Sequence, residues 1–202
     1  MKTKMILILL TFTLIGLLVN SCEQPVSNKY VEKPMLIGVG GDDEEETSNE
    51  CTSGVAEGTF YKVCLTKESD GNGNWIYTWS VTNTYPNGKN GQKDLSHFNV
   101  IFSDCLLDDM NSGETNILSA QYKYGDNSSY TTINPTPTYK IDPSTQSTYN
   151  GSVFKFDYGT SGSVTTYYRL ILDKNYNLST GSAVFKYGRT ATKSNNIPTI
   201  GC

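Results

Sequence analysis

The chain of 202 residues contains one histidine, His97, and this scarcity limits the chemistry available to it. Histidine is the side chain that most often acts as a general base near neutral pH, and it is a common zinc ligand. Sites that require several histidines are therefore excluded, which removes most zinc enzymes. We predict neither a metal nor a cofactor for this chain.

The chain also lacks an excess of basic residues, because 16 lysines and arginines stand against 20 acidic residues. Residues 1–22 carry two lysines and no acid, residues 23–50 carry two lysines and eight acids, and residues 51–202 are balanced at twelve of each. Proteins gain most of their non-specific affinity for nucleic acids from contacts with phosphate. A neutral body without a basic stripe argues against nucleic acid as a partner.

Long apolar runs are missing except at the start of the chain. Lys2 and Lys4 form a short positive region, and residues 5–19 form an apolar stretch of 15 residues. A helix that spans a bilayer needs about 20 apolar residues, whereas an export signal needs fewer. The pattern predicts that residues 1–21 are a cleaved signal peptide and that no later segment spans a membrane.

The segment LVNSC, residues 18–22, resembles the lipobox of bacterial lipoprotein signal peptides. The resemblance implies cleavage before Cys22 and acylation of that cysteine, and more than one acyl chain gives a durable membrane anchor. Glu23, directly after the cysteine, implies onward transport to the outer membrane. An ordinary secretory signal cleaved near Ser21 is the alternative. We expect a lipid-anchored protein of the bacterial cell envelope.

Four cysteines follow Cys22, and an even number in an exported chain predicts disulfides. They are Cys51, Cys64, Cys105 and Cys202, which allow three connectivities. We favour Cys51 with Cys64 and Cys105 with Cys202, because the second bond would tie the C-terminus to the body. A metal site is the alternative, but no two of these cysteines have C-x-x-C spacing.

Residues 22–50 form a polar segment with two prolines, a glycine-rich stretch and the acidic run DDEEE at residues 42–46. Such a segment buries too little apolar surface to order itself, so we predict a disordered acidic tether that follows the lipidated N-terminus. A flexible coil of this length reaches roughly 30 Å. A calcium-binding or export-sorting role for the acidic run is the alternative.

From residue 51 onward, apolar side chains alternate with polar ones, which is typical of half-buried β-strands. The alternating sets are Tyr61, Val63 and Leu65; Trp75, Tyr77, Trp79 and Val81; Phe98, Val100 and Phe102; Phe154, Phe156 and Tyr158; Tyr168, Leu170 and Leu172; and Ala183, Phe185 and Tyr187. Turn-forming clusters such as SDGNGN and YGTSGS separate these runs, and a weak helical period is confined to residues 106–116. We predict that residues 51–202 form an all-β domain, an antiparallel β-sandwich of about seven or more strands.

Three phrases, WIYTWSVT, KDLSHFNVIFSDC and the C-terminal IPTIGC, resemble those of a group of secreted bacterial β-sandwich domains. The resemblance covers about residues 58–202. It implies the same fold and brings no activity with it.

The phrase DLSHF places Asp94, Ser96 and His97 within four residues, which suggests a hydrolytic site. Neighbours on a strand point to opposite faces, so Ser96 and His97 diverge instead of converging as a triad requires. Glycoside hydrolysis needs two carboxylates about 5 to 9.5 Å apart, and only Asp157 lies on a predicted strand. We predict no catalytic residue and a structural or surface role for His97.

Two turns have the alternating oxygen-bearing side chains of a calcium loop. They are Asp70, Asn72 and Asn74, and Asp173, Asn175 and Asn177. The sixth position is Trp75 or Leu178 where that loop needs glycine, and the twelfth is a valine where it needs glutamate. We therefore interpret both segments as hairpin turns.

Trp75, Tyr77 and Trp79 share one face of a predicted strand and permit two interpretations. An exposed set of rings would stack on sugars, whereas a buried set would form the core. Burial of each ring contributes a few kcal/mol, so we favour the core and keep these three residues as the weaker ligand-binding hypothesis.

The anchor, the tether and loops rich in Asn, Tyr, Ser and Gly together favour a binding or adhesion module whose ligand is a glycan or a surface protein. A structural or fimbria-like subunit that polymerises by strand exchange is the alternative. A hydrolase is less favoured, because it requires a cleft that brings His97 or Asp157 against a second titratable group.

Overall fold

The structure is a computed structural model that describes residues 47–52, 54–85 and 94–202. These residues form two antiparallel β-sheets that pack face to face, so the predicted β-sandwich is confirmed. The predicted signal peptide, Cys22 and nearly all of the predicted tether lie outside the described residues. Within the described ranges, no helix has the length and apolar character needed to cross a bilayer.

Eleven strands and one helix make up the described part of the chain. Sheet 1 has six strands in the spatial order β1 (Ser48–Cys51), β2 (Tyr61–Ser69), β3 (Trp75–Asn83), β9 (Thr166–Leu172), β5 (Ile117–Tyr124) and β6 (Thr131–Thr132). Sheet 2 has five strands in the order β11 (Thr190–Gly201), β10 (Asn177–Tyr187), β4 (Leu95–Ile101), β8 (Ser152–Phe156) and β7 (Tyr139–Ile141). The helix α1 (Asp104–Ser112) follows β4 and overlaps the segment of weak helical period.

Strand β1 begins at Ser48, whereas the sequence placed the start of the folded domain at residue 51. The strand pairs with β2 in a register that sets Cys51 opposite Cys64. Most of its side chains are exposed, so backbone pairing holds it in place and not burial of an apolar face. The alternation of apolar and polar residues therefore gives no signal for this strand.

The core lies between the inner faces of the two sheets, where the alternating residues of the sequence meet. Trp79 is fully buried at its centre. Stacked aromatic pairs join the sheets: Tyr61 with Phe185 and Phe98 with Tyr168, each with ring centroids 5.3 Å apart. Such pairs contribute about 0.5–1.5 kcal/mol beyond the area that they bury.

Both favoured disulfides are present in the structure. Cys51 is bonded to Cys64, which fastens β1 to β2, and Cys105 is bonded to Cys202, which fastens the end of the chain to α1. The two bonds span 13 and 97 residues of sequence. In the chain-entropy account a longer closed loop stabilises more, so the second bond restricts the unfolded chain more strongly.

The two sheets differ in what covers their outer faces. Residues 142–150, which we call the strap, lie over sheet 2, and the hydroxyl of Thr148 donates to the carbonyl of Ala191 on β11. Val184 points outward from β10 and is nevertheless fully buried, as a covered face requires. The outer face of sheet 1 instead carries half-exposed side chains that pack on one another, such as Arg169 with its guanidinium carbon 3.6 Å from the centre of the Tyr130 ring.

Candidate functional site

One cleft opens at the end of the sandwich where β4 begins and β5 ends. Its volume of about 390 Å³ falls within the range of roughly 300–1,000 Å³ that is usual for ligand pockets. We call it the end cleft, and its lining consists of Asp94, Leu95, Tyr124, Gly159, Thr160, Ser161 and Val164. Three separate parts of the chain meet there: the start of β4, the end of β5 and the loop between β8 and β9.

The end cleft is the place where exposed apolar side chains converge. Tyr124 and Val164 are each 45% exposed, and both line the cleft. Behind them, Tyr122 meets Tyr124 edge to face at 5.4 Å and stacks on Tyr158 at 3.6 Å between ring centroids. The ring of Tyr124 is thus supported by ordered aromatic neighbours while it presents apolar surface to solvent.

The floor of the cleft is a close contact between two backbone segments. The amide of Thr160 donates to the carbonyl of Leu95 at 3.1 Å, and the hydroxyl of Thr166 donates to the carbonyl of Gly159 at 3.1 Å. A Cβ atom at position 159 would lie 1.7 Å from the Leu95 oxygen, so only glycine fits there. The floor is therefore set by the backbone before any ligand arrives.

The polar groups of the cleft are few. Asp94 Oδ1 accepts a hydrogen bond from the amide of Gly162 at 2.9 Å, which holds the loop against the start of β4. Thr160 is 2% exposed, and its hydroxyl has no hydrogen-bond partner in the described part of the chain. Leaving a buried hydroxyl unpaired costs about 1–3 kcal/mol. Burial, with Tyr122 and Tyr158 nearby, raises the pKa of Tyr124, which keeps its phenol neutral.

Among the described residues, the lining supplies one carboxylate, a neutral phenol and two aliphatic hydroxyls, which do not form an acid–base pair suited to neutral pH. What it offers is an apolar ring, hydrogen-bonding oxygens and a rigid floor.

A second group of polar side chains lies on the outer face of sheet 2, at the start of the strap. We call it the histidine cluster, and it consists of His97, Asp142, Ser144, Lys155 and Asp157. His97 is 5% exposed and Asp142 is 6% exposed. The two central side chains are thus closed to solvent, in contrast to the end cleft, whereas Ser144 and Asp157 at the margin are exposed.

Asp142 is the hub of the histidine cluster. Its carboxylate accepts hydrogen bonds from Asn99 Nδ2 at 2.9 Å and from the Ser144 hydroxyl at 2.8 Å, and it lies 2.9 Å from His97 Nε2. Burial by itself would raise the pKa of this carboxyl. The hydrogen bonds from Asn99 and Ser144, together with the charge of Lys155, outweigh burial and hold the pKa well below its usual range.

The hydrogen bonding of His97 decides whether the cluster could activate a nucleophile. Burial and the nearby charge of Lys155 lower the pKa of His97, although two carboxylates face it. Its contact with the ionised Asp142 places the single N–H of the neutral ring on Nε2. Ser144 Oγ lies 3.1 Å from that same nitrogen and donates its own proton to Asp142. No lone pair on Nε2 is left to accept the serine proton, so this is not a nucleophile and base pair.

The DLSHF phrase does not form a site of its own. Ser96 is exposed and His97 is buried, so the two side chains lie on opposite faces of β4 as predicted. Asp94 belongs to the end cleft. Asp157, which the sequence placed on a strand, comes just after β8 with its carboxylate 3.6 Å from His97 Nδ1. The main partner of His97, Asp142, is distant in sequence, and no local pattern links the two.

The ligand-binding hypothesis for Trp75, Tyr77 and Trp79 is corrected by the structure. Tyr77 and Trp79 are fully buried, and Trp79 Nε1 donates to the carbonyl of Pro198 at 2.9 Å. Trp75 is partly buried, with the ammonium of Lys67 4.5 Å from its ring centre. Because these rings pack inward on β3, they cannot form a surface platform. The sequence pattern does not single out Tyr124, the exposed ring at the end of β5, because it ends a short alternating run.

The two calcium-like turns use their carboxylates within the protein. Asp70 Oδ1 accepts hydrogen bonds from the amides of Asn72 at 2.8 Å and Asn74 at 3.0 Å, which is the hairpin turn that the sequence indicated. Asp173 differs, because its Oδ1 accepts from the amide of Asn116 at 2.7 Å. It ties the turn between β9 and β10 to the segment that follows α1.

Comparisons with known proteins provide no family for this chain. No protein-family model matches it, and no curated protein matches it. Among solved structures, the crystal structure of the KRT10-binding region domain of the pneumococcal serine rich repeat protein PsrP is similar with a TM-score of 0.38 and 12% identity, over 75% of this chain and 98% of that chain. A similarity of this size carries no argument about this chain.

Proposed function

We propose that this chain is a lipoprotein of the bacterial envelope that displays a β-sandwich as a binding or adhesion module. Cys22 carries the lipid, and the acidic tether that precedes β1 holds the domain away from the outer membrane. The ligand is a molecule outside the cell, either a glycan or a surface protein.

The observation that carries the binding role is the end cleft. It gathers exposed apolar surface at Tyr124 and Val164 over a rigid backbone floor, and exposed apolar patches on otherwise polar domains mark interaction sites. The titratable groups among the described lining residues are Asp94 and Tyr124, and the raised pKa of Tyr124 keeps its phenol from acting as a base at neutral pH, which favours recognition over catalysis.

The sheet edges favour a single displayed domain over a subunit that polymerises by strand exchange. Strand exchange needs a terminal strand that can leave its sheet. Cys51–Cys64 fastens β1, and Cys105–Cys202 fastens the residue that follows β11. Pro198 within β11 also removes one backbone donor from that long edge.

The disulfides also support an oxidising location outside the cytoplasm. Metabolic labelling with palmitate in a host that processes lipoproteins tests the anchor. We expect label on the full chain and none on Cys22→Ala. Label that persists in Cys22→Ala would contradict the anchor.

The binding role is tested with the full chain solubilised in mild detergent and applied to a glycan array and to a surface-protein array. We expect at least one ligand to bind above background. Binding should persist at a reductant concentration too low to reduce the two disulfides. No ligand on either array would contradict the binding role, whatever the outcome of the palmitate experiment.

A further inference from the structure

We infer that the end cleft is a saccharide site, in which the ring of Tyr124 stacks on the apolar face of an uncharged sugar ring and Asp94 and the Ser161 hydroxyl take its hydroxyl groups. This assignment rests on the proposed binding function and names its site and ligand class. It also places the aromatic contact on β5, away from the rings of β3.

The exposed ring of Tyr124 provides the apolar contact for a sugar. A sugar ring presents a face of C–H groups, and an exposed aromatic ring is the protein surface that matches it. Tyr124 is 45% exposed and held edge to face by Tyr122, with ring centroids 5.4 Å apart. Val164, also 45% exposed, adds apolar surface beside it. A ring already fixed by its neighbours loses little freedom when a ligand binds.

Asp94 and Ser161 provide hydrogen-bonding groups beside that ring. Asp94 uses Oδ1 to accept from Gly162, and no described residue donates to its other oxygen, Oδ2. Ser161 is exposed on the rim. Thr160 also lines the cleft, but its hydroxyl is buried and is not counted among the groups that a ligand can reach. Sugar hydroxyls both donate and accept, so one ligand can hydrogen-bond to the Asp94 carboxylate and to the Ser161 hydroxyl together.

The charges of the described lining residues favour an uncharged sugar over the other ligands that bind to an aromatic ring. Among the described residues, the lining holds no lysine or arginine that would pair with an acidic glycan or an acidic peptide. A basic peptide would find only one carboxylate, already shared with a backbone amide. The volume of about 390 Å³ lies in the range of small-ligand pockets and has room for one or two sugar rings.

The experiment uses the full chain in mild detergent on an array of uncharged oligosaccharides built from glucose, galactose, mannose and N-acetylglucosamine, with lysine- and arginine-rich peptides on the same slide. We expect an uncharged oligosaccharide to be retained. Tyr124→Ala should weaken its binding at least about tenfold, because the stacking surface is lost. Tyr124→Phe keeps the ring and should bind within about threefold of the parent protein. Asp94→Asn, which keeps the contact to Gly162, should weaken binding several-fold.

Leu118→Ala is the matched control. Leu118 is 49% exposed on the same strand, about 20 Å from position 124, so its loss removes similar apolar surface without touching the cleft. It should leave binding unchanged, and thermal unfolding of every variant verifies the fold. Sugar binding that Tyr124→Ala and Asp94→Asn leave intact would overturn the site while the binding function stands. Capture of basic peptides alone, through the same residues, would overturn the ligand class. An absence of ligands on this slide and on the protein array would overturn the proposed function itself.

Discussion

The histidine cluster and the end cleft combine chemistry and access in opposite ways. The cluster holds a histidine, a serine and two carboxylates, yet His97 and Asp142 are almost completely buried at the strap. The end cleft holds one carboxylate, yet it exposes Tyr124 and Val164 to solvent. The titratable side chains of His97 and Asp142 hold the strap in place, whereas the apolar side chains of the end cleft face the solvent.

The difference follows from the cost of burying polar groups. A buried carboxylate is tolerated only when several donors satisfy it, and Asp142 has donors from Asn99, His97 and Ser144. Once those hydrogen bonds are made, the side chains have no capacity left for a substrate. Tyr124 has kept its apolar surface free, and that free surface is what a ligand can use.

The largest effect is expected for Asp142→Ala. It leaves the buried Asn99 amide and the His97 N–H without their acceptor, so we expect a loss of about 3 kcal/mol in the free energy of unfolding. Urea unfolding of the full chain measures it. Asp157→Ala is the control, because that carboxylate is 68% exposed and its loss should change stability by less than about 0.5 kcal/mol. Equal losses in the two variants would show that Asp142 is not a hub.

The next effect tests the rigid floor of the end cleft. Gly159→Ala places a Cβ against the Leu95 carbonyl, and because two backbones must separate we expect a loss of about 2 kcal/mol. Gly54→Ala is the matched control, since no atom lies within 4 Å of a Cβ at that position. Thermal unfolding compares the two variants. A Gly159→Ala variant as stable as the control would mean that the floor adapts and is not preformed.

The sandwich itself was predictable because alternation reports directly on which side chains are buried. The predicted inner-face residues of β3 and β9, such as Trp79 and Tyr168, are fully buried and belong to the core. The disulfide partners were predictable from the even number of cysteines after Cys22 and from the positions of those cysteines in the chain. Strand β1 was missed because it pairs through its backbone and buries little.

The candidate site was less predictable, because its parts are far apart in sequence. Tyr124, Asp94 and Val164 belong to three segments that meet only when the two sheets close. The alternation also suggested the wrong aromatic ring as a ligand contact. Trp79 stands out as a large aromatic residue on a strand, but its place in the alternating pattern is what buries it in the core. Exposure at the last position of a strand depends on the loop beyond it, which periodicity does not describe.

A smaller effect is expected when pH changes. Burial and Lys155 lower the pKa of His97 in the folded protein, whereas the unfolded chain takes up that proton near the ordinary value of 6.5. Acid therefore favours the unfolded state, and the stability contributed by neutral His97 is present above pH 6.5 and is lost as pH falls toward the folded pKa. We expect a lower melting temperature at pH 5.5 than at pH 7.5, and a smaller drop in His97→Gln. A drop of the same size in both proteins would contradict the assignment to His97.

The smallest effect on stability is expected for Tyr124→Ala, the substitution that should weaken sugar binding most. The ring is 45% exposed and its main contact is one edge-to-face neighbour, Tyr122, so we expect a loss of no more than about 1 kcal/mol in urea unfolding. Tyr124→Phe keeps that contact and should be closer still to the parent protein. A loss above about 2 kcal/mol would make Tyr124 a structural residue like Asp142, and the contrast between an open cleft and a closed cluster would then fail. A small loss together with weakened sugar binding would place the role of this ring outside the fold, where a ligand meets it.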